Sequence, residues 1–160
     1  MRRLNGLLAA TALAAGLSSA AAASEMIFFE TIKDTDVATF GIGYMRGVGT
    51  GSLAVSGLSG SISKAYLFWH GPTQTTNASA NATVSFAGSD ITGTNIGFSD
   101  DNFWGFENSQ AYRADVTSLI TGDGNYALAN FRKDSGRIEI NGASLIVFYN
   151  DGNAANNSDV

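Results

Sequence analysis

The sequence predicts an all-β fold: an antiparallel β-sandwich of jelly-roll type with one short helical turn near residues 115–120. Three observations predict it. After residue 23 the chain shows almost no helical periodicity and instead carries short runs of β-branched and aromatic residues. Gly, Asn, Ser and Asp separate these runs at intervals of roughly 10 to 15 residues. The repeated helices of a dozen residues that a βαβ fold needs are missing from the pattern.

The chain opens on an export leader. Arg2 and Arg3 supply the positive region, residues 7–17 the apolar stretch, and Ala21, Ala22 and Ala23 the small residues that a signal peptidase accepts before Ser24. The strongly apolar part ends at Leu17, short of the ~20 residues a membrane span needs. A signal peptide over 1–23 and a β-sandwich domain over 24–160 are therefore expected. The mature chain would have no transmembrane segment and would lie outside the cell or on its surface.

Residues 26–29 open the domain. In 37–44, Val37, Thr39 and Gly41 fall on one face and Ala38, Phe40 and Ile42 on the other. In 52–58, Leu53 and Val55 share a face opposite Ser52, Ala54 and Ser56. Residues 62–70 form the strongest run, and 83–86 follows with Val84 and Phe86 inward. Runs at 126–131, 137–140 and 143–149 complete the set. Residues 65–69 and 145–149 are apolar at every position, so both strands are expected to be central and covered on the second face by a loop, a short helix or another domain. Residues 115–120 make the helical turn, where Asp115 or Thr117 can accept backbone N–H groups, and Gly122 and Gly124 end it. Residues 150–160 are polar, with no closing apolar strand, and the chain is expected to be the N-terminal part of a longer protein.

Charge and composition exclude several functions. The formal charge is −5 and becomes −7 once Arg2 and Arg3 leave with the leader, which repels phosphate backbones and anionic lipid. Nucleic acid is therefore not an expected partner. Cysteine is absent and His70 is the single histidine, so there is no thiol nucleophile and no Cys/His zinc site. The glycine run Gly41, Gly43, Gly47, Gly49, Gly51 lacks the dinucleotide spacing, because Arg46 stands at the third glycine position, and no Gly-Lys-Ser/Thr follows. Acid–base catalysis would need Glu107 or Asp101 brought beside His70, which nothing in their spacing requires, so an enzyme is not expected.

Two ligand chemistries fit the residue types. Trp69 and His70 end the strongest strand and Trp104 lies in an aromatic cluster inside a polar loop at 97–109, so these three are the candidate platform for stacking on sugar rings. Asp151, Asn153, Asn157 and Asp159 are the candidate oxygen ligands for calcium, with Asp100, Asp101 and Asn102 as a second cluster, although neither matches an EF-hand. Asp and Asn are also ordinary turn formers.

Segments 43–51, 64–69, 112–120, 124–126 and 141–151, taken in order, resemble a class of secreted bacterial and archaeal surface proteins that often end in a PEP-CTERM-type sorting signal. The resemblance covers roughly residues 40–160. It implies a β-sandwich and a cell-surface or matrix setting, with no catalytic residues to carry over. No sorting signal stands in this sequence. Asp115-Val116-Thr117 is also similar to a strand-linking turn of jelly-roll sugar-binding domains, where it does a structural job. The first expectation is thus a non-enzymatic structural or adhesive surface module, with extracellular polysaccharide or other surface proteins as partners. The alternative is a carbohydrate-binding module, with calcium as a stabilising ion.

Overall fold

Among the described residues, the runs of β-branched and aromatic residues fold into nine strands and one 3-10 turn. The computed structural model describes residues 28–99, 105–131, 133 and 137–160. The chain divides into Met1–Glu30, where residues 28–30 are described and have no regular structure, and Thr31–Val160, which holds the fold. The strands are β1 Asp36–Ile42, β2 Gly51–Val55, β3 Ser61–Thr73, β4 Thr83–Phe86, β5 Ser89–Thr92, β6 Thr94–Ser99, β7 Asn108–Asp115, β8 Gly124–Ala129 and β9 Gly142–Asn150. They build two antiparallel sheets, of order β1-β9-β3-β7-β6 and β2-β8-β4-β5. The predicted β-sandwich is the observed architecture.

Period-two alternation decides what lies between the sheets. Ala65, Leu67 and Trp69 of β3, Leu145 and Val147 of β9 and Tyr112 of β7 are buried on one side, and Leu53, Val55, Val84, Phe86, Tyr126 and Leu128 on the other. Each large side chain removed from water contributes roughly 1.5–3 kcal/mol. β4 and β5 form a hairpin through Ala87 and Gly88, with φ of 52° and 80°, as a tight two-residue turn requires. The chain then passes from one sheet to the other at Gly93. A Cβ there would lie 2.4 Å from Cη2 of Trp69, so only glycine lets the strand cross the indole edge.

Several expectations need correction. The expected loop at 97–109 begins inside β6 and ends inside β7. β7 hides in the sequence because Asn108 and Gln110 are polar yet buried. Their burial is possible because both side-chain amides donate to Thr75 O, at 2.9 and 2.8 Å, while Gln110 Oε1 accepts from the Tyr112 hydroxyl at 2.6 Å. β6 lies at a sheet edge and needs little apolar surface. Residues 137–140 are not a strand; they run beside the end of β3 through single bonds from Gln74 N to Arg137 O and from Glu139 N to Pro72 O. Residues 103 and 104, of the aromatic cluster in that loop, lie outside the described residues.

The doubly apolar strands β3 and β9 are interior strands, as expected, but on β3 long basic side chains from the same sheet help to cover the outer face. The Lys64 ammonium lies 5.6 Å and the Arg113 guanidinium 5.5 Å from the Tyr66 ring centroid, and Tyr66 is 8% exposed. Phe68 packs edge-on against Tyr66 at 6.4 Å, and Ile146 and Phe148 are half-buried beside them.

The expected helical turn is the 3-10 turn Thr117–Leu119. Asp115 Oδ1 accepts from the Thr117 N–H at 3.0 Å and from its hydroxyl at 2.6 Å, while Thr117 Oγ1 accepts from Ala65 N at 2.9 Å. The turn thus stitches β7 to β3. Burial raises the Asp115 carboxyl pKa, but the Thr117 bonds and the Lys64 ammonium at 2.9 Å outweigh it and hold the group below the usual aspartate value. A carboxylate so depressed stabilises the fold above the ordinary aspartate pKa of about 3.9 and stops doing so as the pH falls through its lowered value. Asp115→Asn should therefore melt lower than the parent at pH 6. The gap is modest, because the carboxylate is half exposed, and should close as the pH falls below the lowered value of the carboxyl. A gap that persists undiminished at low pH would rule this account out.

Candidate functional site

The five-stranded sheet carries a shallow groove across the outer face of all five strands. Its origin is the register of small residues. Gly41 of β1 pairs with Ser144 of β9, which pairs with Phe68 of β3. One step along, Gly142 pairs with His70, and His70 with Ala111 of β7. Glycine, alanine and serine form a low floor, while Phe68, His70 and Ile96 of β6 stand higher. The resulting cavity has a volume of about 540 Å³ and is lined by Gly41, Ile42, Phe68, Trp69, His70, Ile96, Ala111, Tyr112, Asn141, Gly142, Ala143 and Ser144. Five strands spaced ~4.8 Å apart make it about 19 Å across. Gly142 also lets β1 approach, since a Cβ there would lie 2.4 Å from Ile42 O.

The groove is electrically quiet. Among the described residues His70 carries the one titratable side chain that faces the groove, and no carboxylate lines it. Loss of water around His70 pushes the imidazole pKa below its ordinary value, so the neutral ring faces the groove at pH 7. Asn141 is tied down at both ends, its N–H donating to His70 O and its carbonyl accepting from Met45 N, each at 3.1 Å. Its side-chain carbonyl oxygen is buried with no hydrogen-bond partner among the described residues. Together the groove offers one half-buried aromatic face, an imidazole, a hydroxyl and an amide, the group types that hydrogen-bond to and stack on uncharged polar rings.

The sequence-predicted residues fall in different places. His70 lies on the groove, as a ligand role needs. Trp69 does not serve as a platform: it is 2% exposed, stacked on Tyr112 at 5.7 Å, edge-on to Phe131 at 6.1 Å, and donates Nε1–H to Asn81 O at 2.9 Å. Strand alternation dictates this, because Phe68 and His70 face out only if Trp69 faces in. Trp104, Asp100, Asp101 and Asn102 lie outside the described residues. Glu107 is exposed and does not line the groove.

The four candidate calcium ligands serve the turns of the C-terminal tail. Asp151 accepts from Asn153 N at 2.7 Å and from Asn156 Nδ2 at 3.2 Å. The backbone bond from Asn153, then that from Asn156, lowers the Asp151 pKa against the opposing effect of burial. Asn153 Oδ1 accepts from Ala155 N, Asn157 Nδ2 donates to Asp34 Oδ1, and Asp159 Oδ1 accepts from Asp34 N. Among the described residues no group of three or more His, Asp and Glu side chains is placed to share an ion. The tail instead pairs with residues 32–35 through Ile32, Thr35, Ser158 and Val160.

Phe68, Asn141 and Ser144 were not selected from the sequence. Phe68 was accessible by alternation with His70; Asn141 and Ser144 join the site only once β9 is paired with β3. No protein-family model, no curated protein and no solved structure matches this chain.

Proposed function

We propose that this chain is a non-enzymatic, exported adhesive module that grips an uncharged extracellular carbohydrate chain across its five-stranded sheet. One observation carries the reading: a groove crosses all five strands and combines a half-buried aromatic face with neutral hydrogen-bonding groups. Among the described residues the groove's lining contains no carboxylate, so none of them supplies the pair needed for glycoside hydrolysis. The export leader in the sequence and the negative charge support an extracellular setting and a ligand that is not a polyanion. Adhesion and sugar binding are then one activity, since a module that holds a wall or matrix polysaccharide fastens whatever it is joined to.

Calorimetry against a panel of neutral hexasaccharides tests the reading. At least one should bind, and Phe68→Ala and His70→Ala should each weaken it about tenfold or more, equal to ~1.4 kcal/mol. The bound sugar should be recovered uncleaved. Unchanged affinity in both variants would remove the groove from the site.

A further inference from the structure

Asn81 closes the turn at 78–81 that precedes β4, and its exposure is 0%. Its main chain is fully engaged. The N–H donates to the Tyr112 hydroxyl at 3.2 Å, and the carbonyl accepts from Trp69 Nε1 at 2.9 Å. Its side chain is not: neither Nδ2 nor Oδ1 has a hydrogen-bond partner among the described residues. The buried amides of β7 behave differently. Asn108 and Gln110 both donate to Thr75 O, and Gln110 Oε1 accepts from the Tyr112 hydroxyl and from Asn95 Nδ2. A side-chain amide carries two donors and two acceptor lone pairs. Burial without partners forfeits every bond that bulk water supplies to them, and apolar contact does not replace those bonds. Asn81 sits against Trp69 and Tyr112, the stacked pair at the middle of the sandwich, so its amide cannot turn outward without breaking the two main-chain bonds.

We propose that Asn81 is a hydration site: its side-chain amide holds one long-lived internal water molecule, which fastens the loop between β3 and β4 to the Trp69–Tyr112 stack. The chemistry of the surroundings selects water over other occupants. Asn81, Asn108, Gln110 and Tyr112 bring no carboxylate to the cluster, so a metal cation has no counter-charge there. An apolar occupant would leave both amide atoms unbonded. Water donates and accepts alike, and it is retained inside proteins where several polar groups converge. The Tyr112 hydroxyl and the Asn81 carbonyl each accept one bond and keep a second lone pair, which a water beside the amide can use. The loop is then held over β7 by polar bonds at two points, through Thr75 O to Asn108 and Gln110 and through the water at Asn81.

The test uses the full chain. In NMR, the side-chain NH2 protons of Asn81 should show cross-relaxation with water of the sign given by a bound molecule. A high-resolution crystal structure should place a water within about 3.2 Å of Nδ2 or Oδ1. An amide that is dry, or bonded directly to protein, overturns the proposal. Oxygen-17 relaxation dispersion counts long-lived internal waters in solution. Asn81→Leu keeps the length of the side chain and removes both polar atoms. It should lower that count by one and melt about 4 °C below the parent, because the groups that shared the water lose its bonds. A variant that melts at or above the parent means that the parent amide was dry, since removing an unbonded buried amide stabilises a fold. A lower midpoint with an unchanged count makes the loss one of packing alone and also overturns the proposal. Asn77→Leu, at an exposed position of the same loop, should leave the count as it is, and an equal drop there would place the water elsewhere. Should Asn81→Leu fail to fold, the NMR and crystal measurements on the parent decide by themselves.

Discussion

Trp69→Ala is expected to cost about 3–5 kcal/mol of folding stability, the range for truncating a buried aromatic residue. The indole sits at the middle of the sandwich, stacked on Tyr112 and edge-on to Phe131. Its removal leaves a cavity between the sheets and deprives Asn81 O of its donor. Gly93 passes against the same indole edge, so the crossing between β5 and β6 also loses its support. Thermal melting should fall by about 10 °C or more. Trp69→Phe, which keeps an aromatic ring but not the N–H, should fall less. A Trp69→Ala variant that melts like the parent would place the indole at the surface and restore it as a ligand platform.

Gly71→Ala should cost about 3 kcal/mol or more, although it adds a single methyl group. A Cβ at Gly71 would lie 1.7 Å from Glu139 O and 2.6 Å from Glu139 C. The obstacle is backbone and cannot swing aside. Glu139 N is bonded to Pro72 O, Asn141 N to His70 O, and the Glu139 carboxylate to Arg46 Nε at 2.5 Å. The chain must lift off β3, taking Asn141 of the groove with it and breaking its bond to His70 O. Gly97→Ala is the control: no heavy atom lies within 4 Å of the added Cβ, and the change should stay within about 0.5 kcal/mol. Denaturant midpoints read both variants, and equal midpoints would mean that residues 137–141 yield freely.

Much of the sandwich was legible because alternation is local. Residues 53–55 and 83–86 show which face turns inward without reference to any partner, and the structure keeps those faces, while 65–69 and 145–149, apolar at every position, mark interior strands. β7 was not legible, since Asn108 and Gln110 face inward only because Thr75 comes close enough to take their hydrogen bonds. The cover on β3 was misjudged for a related reason. Reading apolar residues alone overlooks that Lys64 and Arg113 can lay their stems over Tyr66 and keep their charges wet.

The sequence by itself determined the β-rich class, the two faces of the alternating strands, and the structural turn at Asp115 and Thr117. The tertiary structure decided the site. Gly41, Ser144, Gly142 and Ala111 are far apart in the chain, and each is unremarked alone. Strand pairing sets them side by side as a floor, and their small size becomes a groove only where taller neighbours flank them. Alternation is a property of one strand; a groove is a property of register between strands, and register depends on pairings that no single segment contains.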